Sequence, residues 1–433
     1  MQPLLLVELN ELNFEFVRRY VERGHLPSFS LLLQQYGLGT TFSEVVYENI
    51  EPWIQWVTAH TGKTFDEHRV FRLGDIIGTN LDQIWEVLER SGVKVGTVSP
   101  MNAENRLRTP AFFIPDPWTP TRVSADSMTA ALYKAIAQAV GDNAAGRMTP
   151  RSWARLLMGF CVHVPPAKWT AYFRLARRIP HQPWIKAIML DRLLADVFLS
   201  LLQRTQPQFA SLFLNAGAHI QHHYMYNSSV YTGDRRNPDW YVPTGEDPIL
   251  DIYSAYDHIV GDILHLQPGV RLIIATGLHQ DPYPGEEYYW RLKDHEGFLS
   301  QAGIAFAAVE PLMSRDFVVQ FCKASDACLA DSILRAARLR GDTLPVFETD
   351  NRGDSVFCSL VYPRQLHPGA MLEINARSLD LHDATAFVAL KNGHHNPIGY
   401  LIDTFASGKV AQIPLADLFH IVRRHFESEG LPA

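Results

Sequence analysis

The stretch DPILDIYSAYDHIVGDILHLQPGVRLIIATGLHQ, residues 247–280, decides the fold. Over 247–266 its apolar residues recur at spacings of three and four, which predicts an amphipathic helix. A Gln-Pro-Gly break follows, and VRLIIAT at 270–276 then reads as a buried strand. That strand runs out into Gly277, Leu278 and His279. The same alternation recurs on the N-terminal side. LLLVEL (4–9) reads as a buried strand, and residues 13–37 carry helical spacing that stops at Gly and Pro signals. Residues 80–92 predict a helix and VKVGTVSP (93–100) a strand; 188–205 predict a helix and FASLFLNAG (209–217) a strand. Helices alternating with strands predict an α/β fold: a mostly parallel sheet sandwiched between helices.

Composition bounds the function. At 433 residues, 47% hydrophobic and 20% charged, the chain has the profile of an ordinary globular protein. Its length suits one large α/β domain with an insertion, or two domains. A net charge of −7 speaks against general nucleic-acid binding. The four cysteines, Cys161, Cys322, Cys328 and Cys358, show no metal-type spacing and read as reduced thiols. No export signal is read at the N-terminus, and no apolar run approaches the roughly 20 residues that span a bilayer. A cytoplasmic protein is the expectation.

One segment departs from this background. Between Arg147 and Arg192 stand nine basic residues opposed only by Asp191, with Trp153, Trp169 and Trp184 interleaved. The expected organisation is therefore an α/β core over 1–120 and 206–433, with a basic, Trp-containing helical cap over 121–205. One reading is a solvated face over core tryptophans. Another is a lid over an anionic substrate, or a surface making peripheral contact with anionic lipid.

Histidines mark the candidate site. His219, His222 and His223 lie in AGAHIQHHY, His279 in IIATGLHQDPY, and His394 and His395 in KNGHHNPIG. Each cluster follows an apolar run or a glycine, so all three belong at strand ends, where open α/β sheets keep their chemistry. Clusters distant in sequence but convergent in space are the usual construction of a metal or phosphoryl-transfer centre. Glu8, Glu11, Glu48 and Glu51 belong near the same crevice. Three histidines and one glutamate suit a single zinc, manganese or iron ion. Without metal the same groups suit acid–base chemistry, because an imidazole shares a proton readily with a carboxylate near neutral pH. A single histidine in a fold this size is also, commonly, a hydrogen-bonded structural residue.

Several segments, in order, carry a family likeness: 4–37, EPWIQWVTAHTGKTFDEHRVF (51–71), FLNAGAHIQHHYMY (213–226), LIIATGLHQ (272–280) and NGHHNPIGYLID (392–403). In this order the chain resembles the alkaline phosphatase superfamily, specifically its type I phosphodiesterase/nucleotide pyrophosphatase branch. The resemblance implies two metal ions, commonly zinc, held by three Asp and three His around a Thr or Ser nucleophile. Two such ions clamp phosphoryl oxygens.

The departures shape the expectation. Asn10 stands at the first Asp position, Ala218 at a later Asp, and Gly277 and Leu278 at an Asp-His pair. His222 and His395 fall on ligand positions. No Thr or Ser stands two residues before Pro52; Asn49 and Glu51 occupy that neighbourhood. The resemblance thus implies a divergent hydrolase or transferase. Its substrate would be a phosphate or sulfate ester, or a glycosyl phosphate such as a nucleotide sugar or lipid-linked sugar. The expected cofactor is one divalent ion held by His222 and His395, or none. Glu51, as base or nucleophile, His279 and His219 are the expected catalytic groups; Asn10, Asn49 and His394 are the expected substrate contacts. Two alternatives stand beside this: a metal-free pseudoenzyme binding a sugar or phosphate, and a metal-independent glycosyl-transfer or glycosidase enzyme using paired carboxylates.

Overall fold

The computed structural model describes residues 2–141, 148–312, 315–406 and 412–428. The chain divides into two compact units, one formed by Met1–Pro282 with Gly393–Ala433, the other by Tyr283–Asn392. This boundary is not one expected from the sequence.

The first unit is built on a sheet of eight strands among the described residues. Six precede the second unit: β1 (Leu4–Leu9), β2 (Gly39–Phe42), β3 (Val95–Val98), β4 (Phe112–Ile114), β5 (Phe209–Leu214) and β6 (Arg271–Ala275). Two follow it, Ile398–Asp403 and Gln412–Pro414. The spatial order is Gln412–Pro414, β2, Ile398–Asp403, β6, β1, β5, β3, β4. From β6 to β4 every pairing is parallel, whereas Ile398–Asp403 runs antiparallel to both β6 and β2.

Side-chain alternation along β1 explains why both faces are covered. Leu5, Val7 and Leu9 join a core with Tyr253, Tyr256 and Phe198, while Leu4 and Leu6 join a second core with Trp56, Trp85 and Phe213. Each such fully buried large side chain contributes about 1.5–3 kcal/mol of apolar transfer. The expected elements are found close to their read positions. The 247–266 pattern forms the helix Pro248–Leu266, with Pro248 in its first turn and Asp247 accepting from the Leu250 amide. The helical spacing over 13–37 divides into Phe14–Glu22 and Pro27–Tyr36. Leu26, ahead of Pro27, takes a left-handed φ of 56°.

The described residues of 121–205 carry four α-helices: Ser127–Gly141, Pro150–His163, Trp169–Arg178 and Ile185–Thr205. Their basic residues do not all face outward. Lys168 Nζ lies 2.5 Å from Asp196 and 2.6 Å from Asp262, and Arg178 lies 2.5 Å from Asp251. Trp184 is buried and donates to Asp251.

A short antiparallel pair projects from the sheet: β7 (His279–Pro282) against Gly393–Asn396. Gly393 pairs with Pro282, so the second unit enters and leaves the first across one rung of this ladder. The second unit itself carries a four-stranded antiparallel sheet (347–351, 355–360, 316–320, 308–311), two smaller sheets, and the helix Ala324–Ala336.

Candidate functional site

The site is assembled where β1, β5 and β6 end. Register brings Leu9 beside Leu214 and Glu8 beside Ala275, so the residues that follow emerge together. The Asn10 amide donates to the Leu214 carbonyl at 3.0 Å, and the Glu11 amide to the Thr276 carbonyl at 3.1 Å. The Gln280 amide returns to the Glu11 carbonyl at 3.2 Å. Glu11 is held at φ 59°, a left-handed conformation that costs a non-glycine residue about 1–3 kcal/mol. The backbone bonds on both its sides, and the Gln221 side-chain amide donating to its carbonyl at 2.7 Å, over-determine that conformation.

Strain of this kind aims a side chain. The Glu11 carboxylate is buried, and its Oε2 lies 3.2 Å from His222 Nε2 and 3.2 Å from His395 Nε2. The two imidazole nitrogens are 3.3 Å apart. His222 comes from the last turn of the helix Ala216–Tyr224 and His395 from the strand Gly393–Asn396. Beyond His395, Nδ1 faces Glu51 Oε2 at 3.7 Å. Glu51 is the N-cap residue of the helix Pro52–Thr61 and is about one-third exposed (32%).

Burial would raise the Glu11 carboxyl, but the charges and hydrogen bonds of His395 and His222 outweigh it and hold the group well below the usual carboxylate range. Burial would lower His395, yet Glu11, Glu51 and a hydrogen bond to the Ile50 backbone lift it to about 9. Glu11 and His395 therefore form an ion pair, with His395 as its cation at neutral pH.

Neutral amides frame this ion pair. Asn10 Nδ2 donates to Glu11 Oε1 (3.1 Å) and to Asn215 Oδ1 (2.8 Å), while Asn10 Oδ1 accepts from Trp56 Nε1 (2.7 Å). Gln280 donates to Glu11 Oε2 and to the Ala218 carbonyl. Gln221 Oε1 accepts from the Asn13 amide (3.0 Å) and from the Tyr253 hydroxyl (2.6 Å). The helix bearing His222 is fixed at its start: the Asp191 carboxylate accepts from the Ala216 amide (2.7 Å) and the Tyr256 hydroxyl accepts from the Gly217 amide (2.8 Å). Burial pushes Asp191 up to about 6 against these hydrogen bonds. Ala218, Gly277 and Leu278 bring no donor side chain.

The remaining sequence candidates fall outside the cluster. His279 is buried against Tyr400, with Nδ1 on the Ile398 carbonyl and Nε2 3.3 Å from Asp281. His394 pairs in register with Asp281, on the opposite strand face from His395. His219 is exposed, with its ring 5.1 Å from that of His223. Asn49 ends a short 3-10 turn, and its carbonyl accepts from Gln55. Asn10 reaches the cluster through Glu11 rather than through a histidine. Glu11, the residue that draws both histidines together, is one of the four glutamates expected near the crevice, with no role assigned to it there, and Asn215 and Gln280 are not among the sequence candidates.

The donor set can be tested for a metal. Glu11 Oε2, His222 Nε2 and His395 Nε2 form a triangle with edges of 3.2, 3.2 and 3.3 Å. Tetrahedral zinc with bonds of about 2.0–2.1 Å sets its ligand atoms about 3.3–3.4 Å apart. The triangle and the chemistry of the donors both fit one such ion. Among the described residues the other group of compatible spacing is Asp380, His382 and Asp383, in the second unit and partly exposed.

No protein-family model matches the chain, and no curated protein matches it. Solved structures do. Phosphonoacetate hydrolase from Sinorhizobium meliloti 1021, in complex with phosphonoformate, is 12% identical, with 97% of this chain and 94% of that one covered and a TM-score of 0.44. Murine ectonucleotide pyrophosphatase/phosphodiesterase 5 is 11% identical, with 100% and 96% covered and a TM-score of 0.43. The human form of the latter is 11% identical, with 100% and 96% covered and a TM-score of 0.40. Among the described residues no helix is long and apolar enough to cross a membrane.

Proposed function

We propose that the chain is a hydrolase or group transferase for an anionic ester, built on one divalent ion rather than two. The carrying observation is the near-equilateral triangle of Glu11, His222 and His395 donors. Zinc fits best, and the same donor types also suit manganese or iron. Bound there, such an ion would supply Lewis-acid polarisation of a phosphoryl or sulfuryl oxygen. The substrate class is a phosphate or sulfate ester or a glycosyl phosphate, free or lipid-linked.

The chain's own residues have separate tasks. Glu11 contributes the one formal negative charge among the three donors. The amides of Asn10 and Gln280 hold its oxygens in place. With His395 Nε2 turned to the centre, Nδ1 retains the ring proton, and Glu51 is the carboxylate facing it. Glu51 is thus a positioning residue that keeps the ring oriented and basic. Its one-third exposure also leaves it able to take a proton from an incoming nucleophile. His279 acts by tying the β7 turn to Ile398 and Asp281.

A second reading has its own observation. His395 is held protonated beside Glu11, so the ion pair and the amides that frame it form a hydrogen-bonding cradle that would bind a sugar phosphate without turnover. Elemental analysis and a substrate panel separate the two readings. We expect about one zinc, manganese or iron per chain, and hydrolysis of aryl phosphate monoesters, diesters or sulfates that is lost on chelation. Glu11→Gln should reduce the metal to under a tenth of an equivalent. Absence of metal after incubation with excess ions, together with phosphate binding and no turnover, would establish the cradle instead.

A further inference from the structure

The helices Pro150–His163 and Trp169–Arg178 carry apolar side chains on the wrong side for a core. On the first, Ala154, Leu157, Met158, Cys161 and Val162 follow three- and four-residue spacing and are all exposed, forming one stripe beside an exposed Trp153. On the second, Trp169 and Phe173 stand one turn apart and are exposed as well. Exposure is substantial: 58% for Trp153, 65% for Leu157 and 64% for Phe173. The two stripes are joined, because Phe160 packs on Trp169 with ring centroids 5.9 Å apart and edge-on to Tyr172 at 5.0 Å. Scattered exposed apolar residues need no explanation, but a contiguous patch of this kind marks a contact surface.

Charge says what the contact is with. No Asp or Glu occurs anywhere from residue 143 to 190, in a chain whose net charge is −7. The basic residues of this stretch divide by direction. Lys168 and Arg178 turn inward to Asp196, Asp262 and Asp251 and pin the helices down. Arg151, Arg174 and Arg177 are exposed, Arg155 is half-buried, and among the described residues none of the four is ion-paired to an acid. The Arg177 guanidinium lies over the Phe173 ring at 5.8 Å, so cation and aromatic share one face. Tryptophan and phenylalanine bordered by arginine, on helices with their apolar side outward, match the interfacial zone of an anionic bilayer. A protein partner would instead call for an acidic apolar counterpart.

We propose that this face seats the protein on an anionic lipid surface. Trp153, Leu157, Trp169 and Phe173 would enter the headgroup–acyl boundary while Arg151, Arg174 and Arg177 meet lipid phosphates. The inference rests on the two helices and is independent of the chemistry at Glu11.

The test is vesicle flotation of the full chain, with tryptophan fluorescence. Phosphatidylcholine vesicles are compared with vesicles containing one-third phosphatidylglycerol. We expect binding to the anionic vesicles with a blue-shifted emission, little binding to the neutral ones, and loss of binding as salt rises. Arg174→Glu with Arg177→Glu should lower partitioning by about tenfold or more. Leu157→Ser with Phe173→Ser should abolish the blue shift. All four positions are exposed, so melting temperatures should stay at the wild-type value, which separates lost docking from lost folding. Equal binding of wild type and both variants would overturn the proposal. So would failure to bind anionic vesicles, or a dimer of wild-type chains that the same substitutions dissociate.

Discussion

Glu51 gives the most direct test of charge at the level of one residue. It faces His395 Nδ1 and helps keep that ring protonated to about pH 9 in the metal-free protein. Glu51→Gln removes the charge with little change in shape, so the His395 pKa, read by NMR titration, should fall. Turnover should drop about 10- to 100-fold, the range for losing an outer partner of a metal-bound histidine. His68 reports in the opposite direction. The Val70 amide donates to its Nδ1 at 3.0 Å, which leaves Nε2–H to donate to Thr58 Oγ at 3.1 Å. Burial, only partly opposed by Glu67, depresses His68 to about 4 from 6.5. A depressed base stabilises the fold in full above its unfolded value of 6.5, and that contribution is lost as pH falls through 4. Against His68→Gln, which does not titrate, the wild type should lose on the order of 2 kcal/mol between pH 7 and 4.5 in urea unfolding.

Among the elements, the β6 exit shows how tightly the frame is drawn. Gly277 has φ +71°, and a Cβ added there would stand 3.1 Å from the Trp56 indole. That indole holds Asn10, which in turn holds Glu11. Gly277→Ala should therefore cost about 1–3 kcal/mol in thermal unfolding and weaken metal affinity as well, although residue 277 touches no ligand atom. The element scale also shows what a sequence can and cannot disclose. Period and punctuation exposed β1, β5, β6 and the helix Pro248–Leu266, because burial on both faces writes continuous apolar runs. His222 and His395 were legible because the family resemblance marks their positions, although His222 stands on a helix rather than at a strand end. Glu11 could be placed near the crevice but not told apart from Glu8, Glu48 and Glu51, since a carboxylate one residue past Asn10 looks like any turn acid until register shows which side chain is turned inward by a left-handed backbone. The amides of Asn215 and Gln280 carry no signal either, for their importance lies in the direction of their hydrogen bonds. Nor was the second unit separable, because its short antiparallel strands begin within a Pro-Gly stretch that also reads as a simple loop.

At the scale of the molecule, the pairing of Pro282 with Gly393 has a practical consequence. Removing Tyr283–Asn392 and joining the two ends with Asn-Gly should leave a hairpin of favoured geometry. The shortened chain should fold cooperatively by circular dichroism and bind metal within about threefold of wild type. Loss of cooperative folding would mean that the first unit depends on the second. The same arrangement governs how the protein is made. Glu11 and His222 leave the ribosome early, whereas His395 follows the whole of the second unit. The strand Ile398–Asp403, which fills the gap between β6 and β2, emerges later still. Until it arrives, the nascent chain holds two open sheet edges and an incomplete donor triangle. Translation thus sets an order on the centre: Tyr283–Asn392 can fold while the sheet waits, and the third corner of the donor triangle is supplied only after that unit has been made.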